Sequence, residues 1–397
     1  MLSLETLLND EALRRAEFPV IDPGLFLAHA GVTILPQRVA KTMQDYLQYS
    51  CQAMQEYPEA WRAVNETRVV AARLIGAQAS EIALIGPTSV GLSLVAAGLD
   101  WQAGDEVVCY AEDYPANVYP WRDLERKGVV LREVQPPRPG AITLDVVERA
   151  LTPKTRLVAL ASCHYLTGIR IDVDAIGQML HERGILFCLD AIQTLGAFET
   201  RVDHVDFLSA DSHKWMLGPM SAGIFYVKES LQEKLRPVLL GSWNVQSPKF
   251  VAQPEIAFEG GGRRYEPGAL NICGILGMKA GMDLIAEIGL PAISAQLLRL
   301  RRRLLDQVRQ NAPGLVPVGA VDESSASGIV SFVRTADSEI NMDALHESLT
   351  QQGIIASLRH NRADEPHLRF SPHFYNTEAE MDRVGAALSV AVGGQQK

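Results

Sequence analysis

Val205-Asp-Phe-Leu-Ser-Ala-Asp-Ser-His-Lys-Trp215 is the stretch on which the reading of this chain turns. An apolar, strand-like run ends here in a polar cluster carrying one lysine, Lys214. An amine at the end of a buried strand is partly desolvated, which lowers its pKa and makes it available as a nucleophile. A solvated surface lysine after a strand is the plainer reading. The stretch alone leaves both open.

Toward the amino terminus, Ile185-Leu-Phe-Cys-Leu-Asp-Ala-Ile-Gln193 places Asp190 at the carboxyl end of another buried strand. Ligands of open parallel sheets sit outside those ends. A carboxylate there needs a cation or strong donors, because an unpaired buried charge is costly; the alternative is an acid that only caps the next segment. Gln193, three residues on, shares the crevice in the first reading. Further back, Gly86-Pro-Thr-Ser-Val-Gly91 joins a strand at 82–85 to a helix starting near Ser89. Free N–H groups and the hydroxyls of Thr88 and Ser89 suit a phosphate there, although simple helix capping is the commoner use of such hydroxyls. His213 either serves an anion beside Lys214 or packs in the core. Together these are the groups a pyridoxal phosphate site needs: a phosphate cradle, an acid for the pyridine nitrogen and a lysine.

The surrounding pattern supports a sheet. Strand-like runs at 106–110, 129–134, 156–162, 185–190 and 205–210 alternate with helix-like segments near 89–99, 115–127, 144–151 and 172–183. Alternation of this kind predicts crossover units and a mostly parallel sheet covered on both faces. Ala222–Val227 follows Lys214 too closely for a crossover and is expected to pair antiparallel. Helices are expected over 3–17, capped by Ser3, after Pro36, and over 59–75. Residues 236–268 are rich in Gly and Pro, as in a functional or interface loop. Helices then fill about 270–310, and after Pro313-Gly314 the rhythm becomes strand, helix, strand, strand, helix. The division predicted is a helical segment 1–24, a large α/β domain 25–285 and a small α+β domain 286–397.

The 397 residues carry a formal charge of −10, which argues against a general nucleic-acid surface. Five scattered cysteines, with no C-x-x-C pair, point to a reducing compartment and to no metal site. With neither a signal-like start nor an apolar stretch long enough for a bilayer, the expected location is cytoplasmic.

The motifs taken together resemble the class V aminotransferase family of fold-type I pyridoxal-phosphate enzymes, which also contains cysteine desulfurases, kynureninases and isopenicillin N epimerases. The matching stretches, in the family's order, are Gly86–Gly91, Ala116-Asn117 with Pro120-Trp121, Asp190–Gln193, Ser212–Trp215 with Gly218-Pro219, Tyr265–Gly268 with Asn271, and Leu368–Thr377. The resemblance implies a Schiff base on Lys214, Asp190 on the pyridine nitrogen and Gln193 on the ring's phenolic oxygen. It implies a phosphate held by Thr88, Ser89 and His213, with Asp211 or Ser212 nearby, and a substrate carboxylate on Arg369. It further implies a homodimer with shared active sites, the loop around Gly260–Arg264 approaching the neighbouring subunit. Tyr114 takes the ring-stacking place if Pro115 is an insertion. Class V transamination is the expected activity, with epimerase or lyase outcomes as alternatives and a non-catalytic binder of the cofactor or of a small phosphorylated ligand as a reading from another class.

Departures from the family bear on the substrate. Ala269 stands where many relatives have a threonine that reaches the partner's phosphate. Tyr165 replaces the usual asparagine on the substrate side, and Ala28-His29-Ala30-Gly31 brings His29 in as a candidate substrate ligand. Ser357–His367 lacks the loop cysteine of the desulfurases, so desulfurase activity is expected to be disfavoured.

Overall fold

The computed structural model describes residues 2–22, 24–320 and 322–395. Its strands are β1 (Leu25–Phe26), β2 (Ile82–Ile85), β3 (Glu106–Cys109), β4 (Val130–Glu133), β5 (Thr155–Ala161), β6 (Leu186–Asp190), β7 (Phe207–Asp211) and β8 (Gly223–Val227). In the carboxyl-terminal part follow β9 (Leu315–Val318), β10 (Val330–Arg334), β11 (Ile354–Ile355), β12 (Ser357–His360) and β13 (Pro366–Phe370). Seven of them form one sheet in the order β2-β8-β7-β6-β5-β3-β4. All its neighbours pair parallel except β8, which runs antiparallel to both β2 and β7. The few residues between Lys214 and Gly223 cannot hold a crossover helix, so the chain turns straight back. This is the fold-type I architecture: a mostly parallel sheet between helices, with a smaller carboxyl-terminal part.

Parallel strands buried on both faces read as continuous apolar runs. Leu157, Val158, Ala159 and Leu160 of β5 are all fully buried, and side chains alternate between two cores. Because the parallel strands share one direction, their carboxyl ends lie along one edge. Tyr114 follows β3, Tyr165 follows β5, Asp190 ends β6 and Lys214 follows β7. Thr88 opens the helix Thr88–Gly98 just after β2.

Close packing brings that helix down onto the sheet. A Cβ on Gly91 would stand 2.4 Å from Ser209 Oγ, so the approach of Thr88 to β7 needs glycine there. Ser209 in turn donates its hydroxyl to the Thr88 carbonyl at 3.0 Å.

Two helical expectations are refined. The stretch 3–17 is two helices, Leu4–Asn9 and Glu11–Glu17, because Asp10 ends the first and caps the second by accepting from the Leu13 amide. The stretch 115–127 is three short turns, two of them opened by Pro115 and Pro120, which lack an amide hydrogen.

The carboxyl-terminal sheet has the order β12-β13-β10-β9 and is antiparallel throughout. It carries one more strand before its helix than the sequence rhythm suggests. Its core also takes in the amino-terminal stretch: β1 pairs parallel with β11, and Leu25 and Leu27 pack with Leu300, Leu345 and Phe370. That pairing brings Gly31 beside Arg359 and Arg369. Among the described residues no helix is long and apolar enough to cross a membrane.

Candidate active site

A cavity of about 330 Å³ opens at the carboxyl edge of the large sheet. Thr88, Ser89, Tyr114, Tyr165, Asp190, Gln193, His213, Lys214 and Arg369 all line it, together with Arg359 and Gly31. A larger hollow of about 780 Å³ bounded by Val70, Leu74, Ile285 and Leu298 contains no lysine or histidine and lies away from these groups.

Lys214 is buried, and burial pulls its pKa down. Asp190 pulls the other way, while Arg369 and Arg359 add to the depression. Among the described residues no carboxylate reaches ion-pair distance of its Nζ, which sits 5.4 Å from the centroid of the Tyr114 ring. The loop behind it is tied down: Gly218 N donates to Ser212 O at 2.9 Å, and Leu217 is held at a φ of 56°. A leucine in the left-handed region is costly and persists only where its surroundings impose it.

Asp190 is buried, and its pKa is pushed up by that burial and then by the neighbouring Asp113 carboxylate. Its Oδ1 accepts the Ile192 amide at 3.1 Å. Gln193 is clamped at both ends, its Oε1 accepting from Trp215 Nε1 at 2.9 Å and its Nε2 donating to Ala30 O at 3.2 Å. One N–H of that amide remains. Thr88 Oγ1 accepts the Asp211 amide at 2.9 Å, which leaves the hydroxyl proton to donate. Ser89, next along the helix, lines the same wall.

Arg369 is the most unusual group. Only 2% exposed, it donates from Nη1 to Tyr165 O at 2.7 Å, while Nε and Nη2 are buried without an acceptor. Burial and the neighbouring Arg359 pull its pKa down to about 9. Buried guanidinium donors without partners are expensive, and this cost falls away when an anion enters.

Two of the expected residues stand outside the cavity wall. Asp211 is buried, and its carboxylate takes the amides of Ser212 at 2.7 Å and Ser221 at 3.2 Å. An anion so placed anchors the lysine loop and would repel a phosphate. His213 Nδ1 lies 3.0 Å from Asp211 Oδ2 but off the line that a hydrogen bond requires. His29 is wholly buried, its ring nitrogens taken by Thr33 Oγ1 at 2.6 Å and Tyr375 OH at 3.0 Å. It packs against Phe26 and His373 instead of facing a ligand. Ser212 is also engaged, donating to Pro219 O at 2.8 Å.

The pattern that defines the aminotransferase class-V family matches residues 25–384. The chain belongs to that family. A class V relative named probable cysteine desulfurase, from Methanothermobacter thermautotrophicus, is 29% identical over 395 residues, covering 96% of this chain and 97% of its own length. The isopenicillin N epimerase of Streptomyces clavuligerus is 27% identical, covering 83% of this chain and 84% of its own. Among solved structures, the apo cysteine desulfurase of Thermococcus onnurineus superposes with a TM-score of 0.87 at 23% identity, over 96% of this chain and 97% of that one. That likeness is one of fold.

These kinships overturn one expectation. The missing loop cysteine suggested that desulfurase activity was disfavoured, yet proteins named probable cysteine desulfurases match this class V chain over 96–97% of its length. A nucleophile for sulfur is a requirement of the reaction and not of one loop position, and here Ser357–His360 and Pro366–Phe370 form a short paired hairpin. The exclusion does not stand.

The cofactor expectation does. Pyridoxal 5′-phosphate is the cofactor of this class of enzymes, and the groups present fit it: a helix amino terminus with a free hydroxyl proton, a buried acid, and an amine without a partner. Sequence reasoning missed Asp113, whose carboxylate accepts from the amides of Tyr114 and Ala161 and from Asn117 Nδ2. Its spacing of four from Asn117 was the available signal. It also missed Arg359, which was read only as part of a loop without cysteine.

Proposed function

We propose that this protein is a pyridoxal-phosphate enzyme acting on an α-amino acid, with cysteine the first substrate to test. The observation that carries this reading is the pairing, in one cavity, of an amine without a partner at Lys214 and a buried guanidinium with open donors at Arg369. When bound, pyridoxal phosphate draws electron density from the substrate Cα and so acidifies its C–H bond. Lys214 would hold the cofactor and carry the Cα proton; burial favours its neutral, proton-accepting form. Asp190 would face the pyridine nitrogen, where a cation would draw its pKa back down. Thr88, Ser89 and their helix amides would hold the phosphate beside His213. The remaining Gln193 N–H would meet the phenolic oxygen, Tyr114 would cover the ring, and Tyr165 would border the substrate. Arg369 would bind the substrate carboxylate through the bidentate geometry that its open Nε and Nη2 allow.

Cysteine takes first place because relatives named probable cysteine desulfurases match 96–97% of the chain. Kinship with an isopenicillin N epimerase favours a second reading, in which the proton returns to Cα. Transamination, the family's namesake reaction, uses the same groups. Holoenzyme incubated with L-cysteine and an added thiol acceptor should release sulfide and alanine. Sulfide with pyruvate and ammonia would mark elimination, a keto acid with a pyridoxamine spectrum transamination, and Cα deuterium exchange alone epimerisation. Borohydride should fix the cofactor on Lys214, and Lys214→Ala should abolish the label. A colourless protein that resists reconstitution would reject the reading.

We further propose that the enzyme is a homodimer in a reducing compartment. Leu239, Leu240, Phe250, Val251 and Ile256 stand exposed along the 236–268 stretch, and all five cysteines are free. Sedimentation at micromolar concentration should give twice the chain mass.

A further inference from the structure

Resting on the reading of Arg369 as the α-carboxylate site, and not on cysteine as the substrate, we infer that the site prefers an amino acid with a second anionic group, which Arg359 selects. Arg359 stands on β12, two residues along from Ser357, which pairs with Arg369 across the hairpin. Both guanidiniums face the same cavity. A methyl group built on Gly31 would lie 3.2 Å from Arg359 Nη2 and 3.6 Å from Arg369 Nη2, so both guanidiniums border the space that the missing side chain leaves open. Among the described residues no carboxylate lies within ion-pair distance of either.

The two cations differ in setting. Arg369 is buried and anchored on Tyr165 O, as suits a fixed group that every substrate shares. Arg359 is exposed at the mouth, and its guanidinium has no hydrogen-bond partner among the described residues, as suits a variable group at the far end of the substrate. Two like charges brought together without a counter-ion cost free energy. A single carboxylate on Arg369 leaves Arg359 uncompensated, whereas a dianionic amino acid such as aspartate or glutamate neutralises both. In a chain of net charge −10, two free arginines at one cavity are a local inversion of sign that favours such a ligand.

The test uses non-reactive probes that differ by one charge at nearly constant shape: succinate against succinamate, and glutarate against glutaramate. Their dissociation constants for the holoenzyme are measured by calorimetry. One of the diacids is expected to bind about ten-fold or more tightly than its half-amide, the worth of one charged hydrogen-bonded pair. Arg359→Ala should erase that preference by weakening the diacid while changing the half-amide less than two-fold, and Arg359→Lys should restore part of it. Equal affinities in the unaltered enzyme overturn the inference. So does equal weakening of diacid and half-amide by Arg359→Ala, which would mean that both arginines grip one carboxylate. The visible spectrum of the same samples reports separately whether Lys214 holds the cofactor.

Discussion

Arg369→Met should stabilise the ligand-free protein while abolishing its response to carboxylates. The wild-type guanidinium keeps one hydrogen bond, to Tyr165 O, and leaves Nε and Nη2 buried without acceptors. Burial pulls its pKa down from the usual arginine range to about 9, a bias of roughly 5 kcal/mol against the charged form. Methionine fills much of the same volume without that burden but loses the charged hydrogen bond, worth about 1.5–3 kcal/mol. The net gain is about 2 kcal/mol, which for a chain of this size raises the melting temperature by about 2 °C. Thermal unfolding of wild type and variant, each with and without saturating propionate, measures both effects. Propionate should raise the wild-type Tm and leave the variant unmoved. A variant that melts below ligand-free wild type would refute the reasoning, because the guanidinium would then be stabilising without an anion.

Gly91→Ala forces a methyl to within 2.4 Å of Ser209 Oγ. It should cost about 1–3 kcal/mol and weaken cofactor affinity by displacing Thr88 and Ser89, as read by cofactor titration; unchanged affinity would show that this helix does not hold the phosphate. Acid should destabilise the fold between pH 6.5 and 4. Burial pushes the pKa of both His164 and His373 down to about 4, so the unfolded chain binds more protons in that window. Each costs about 2.5 kcal/mol by pH 4.5. Asp113, pushed up to about 6 by burial, has the opposite sign and returns about 2 kcal/mol there, while His29 and Asp190 oppose each other in the same way. Urea unfolding should therefore show lower stability at pH 4.5 than at pH 7, and a flat profile would contradict these assignments. Trp215→Phe removes the donor to Gln193 Oε1; it should shift the cofactor absorbance maximum while leaving cofactor affinity within about five-fold, since one neutral hydrogen bond is worth about 1 kcal/mol.

Lys214, Asp190 and Thr88 were legible in the sequence for one reason. Each follows a short apolar strand of a parallel sheet, and the carboxyl ends of such strands must share an edge. Arg369 was legible only through the family motif around it, since nothing in local periodicity places residue 369 beside residue 214. Arg359, on a partly exposed hairpin, gave no periodic signal of facing inward. The pairing of β1 with β11 involves two residues on each side, too few for alternation to register. His29 shows the opposite failure. A polar residue in a loop-like stretch looked available for a ligand, but its two hydrogen-bond partners lie at Thr33 and at Tyr375, one of them more than three hundred residues away.

The joining of β1 to β11 has a consequence for the order in which the enzyme is made. Thr88, Asp190 and Lys214 lie within one continuous span of chain that emerges early from the ribosome. The side of the cavity that carries Arg359 and Arg369 must wait for residues 354–370 to arrive and capture the amino-terminal strand. Contacts of such long sequence separation form late, after the loop between them has closed. The two arginines of the cavity are therefore set in place after Thr88, Asp190 and Lys214 have been made.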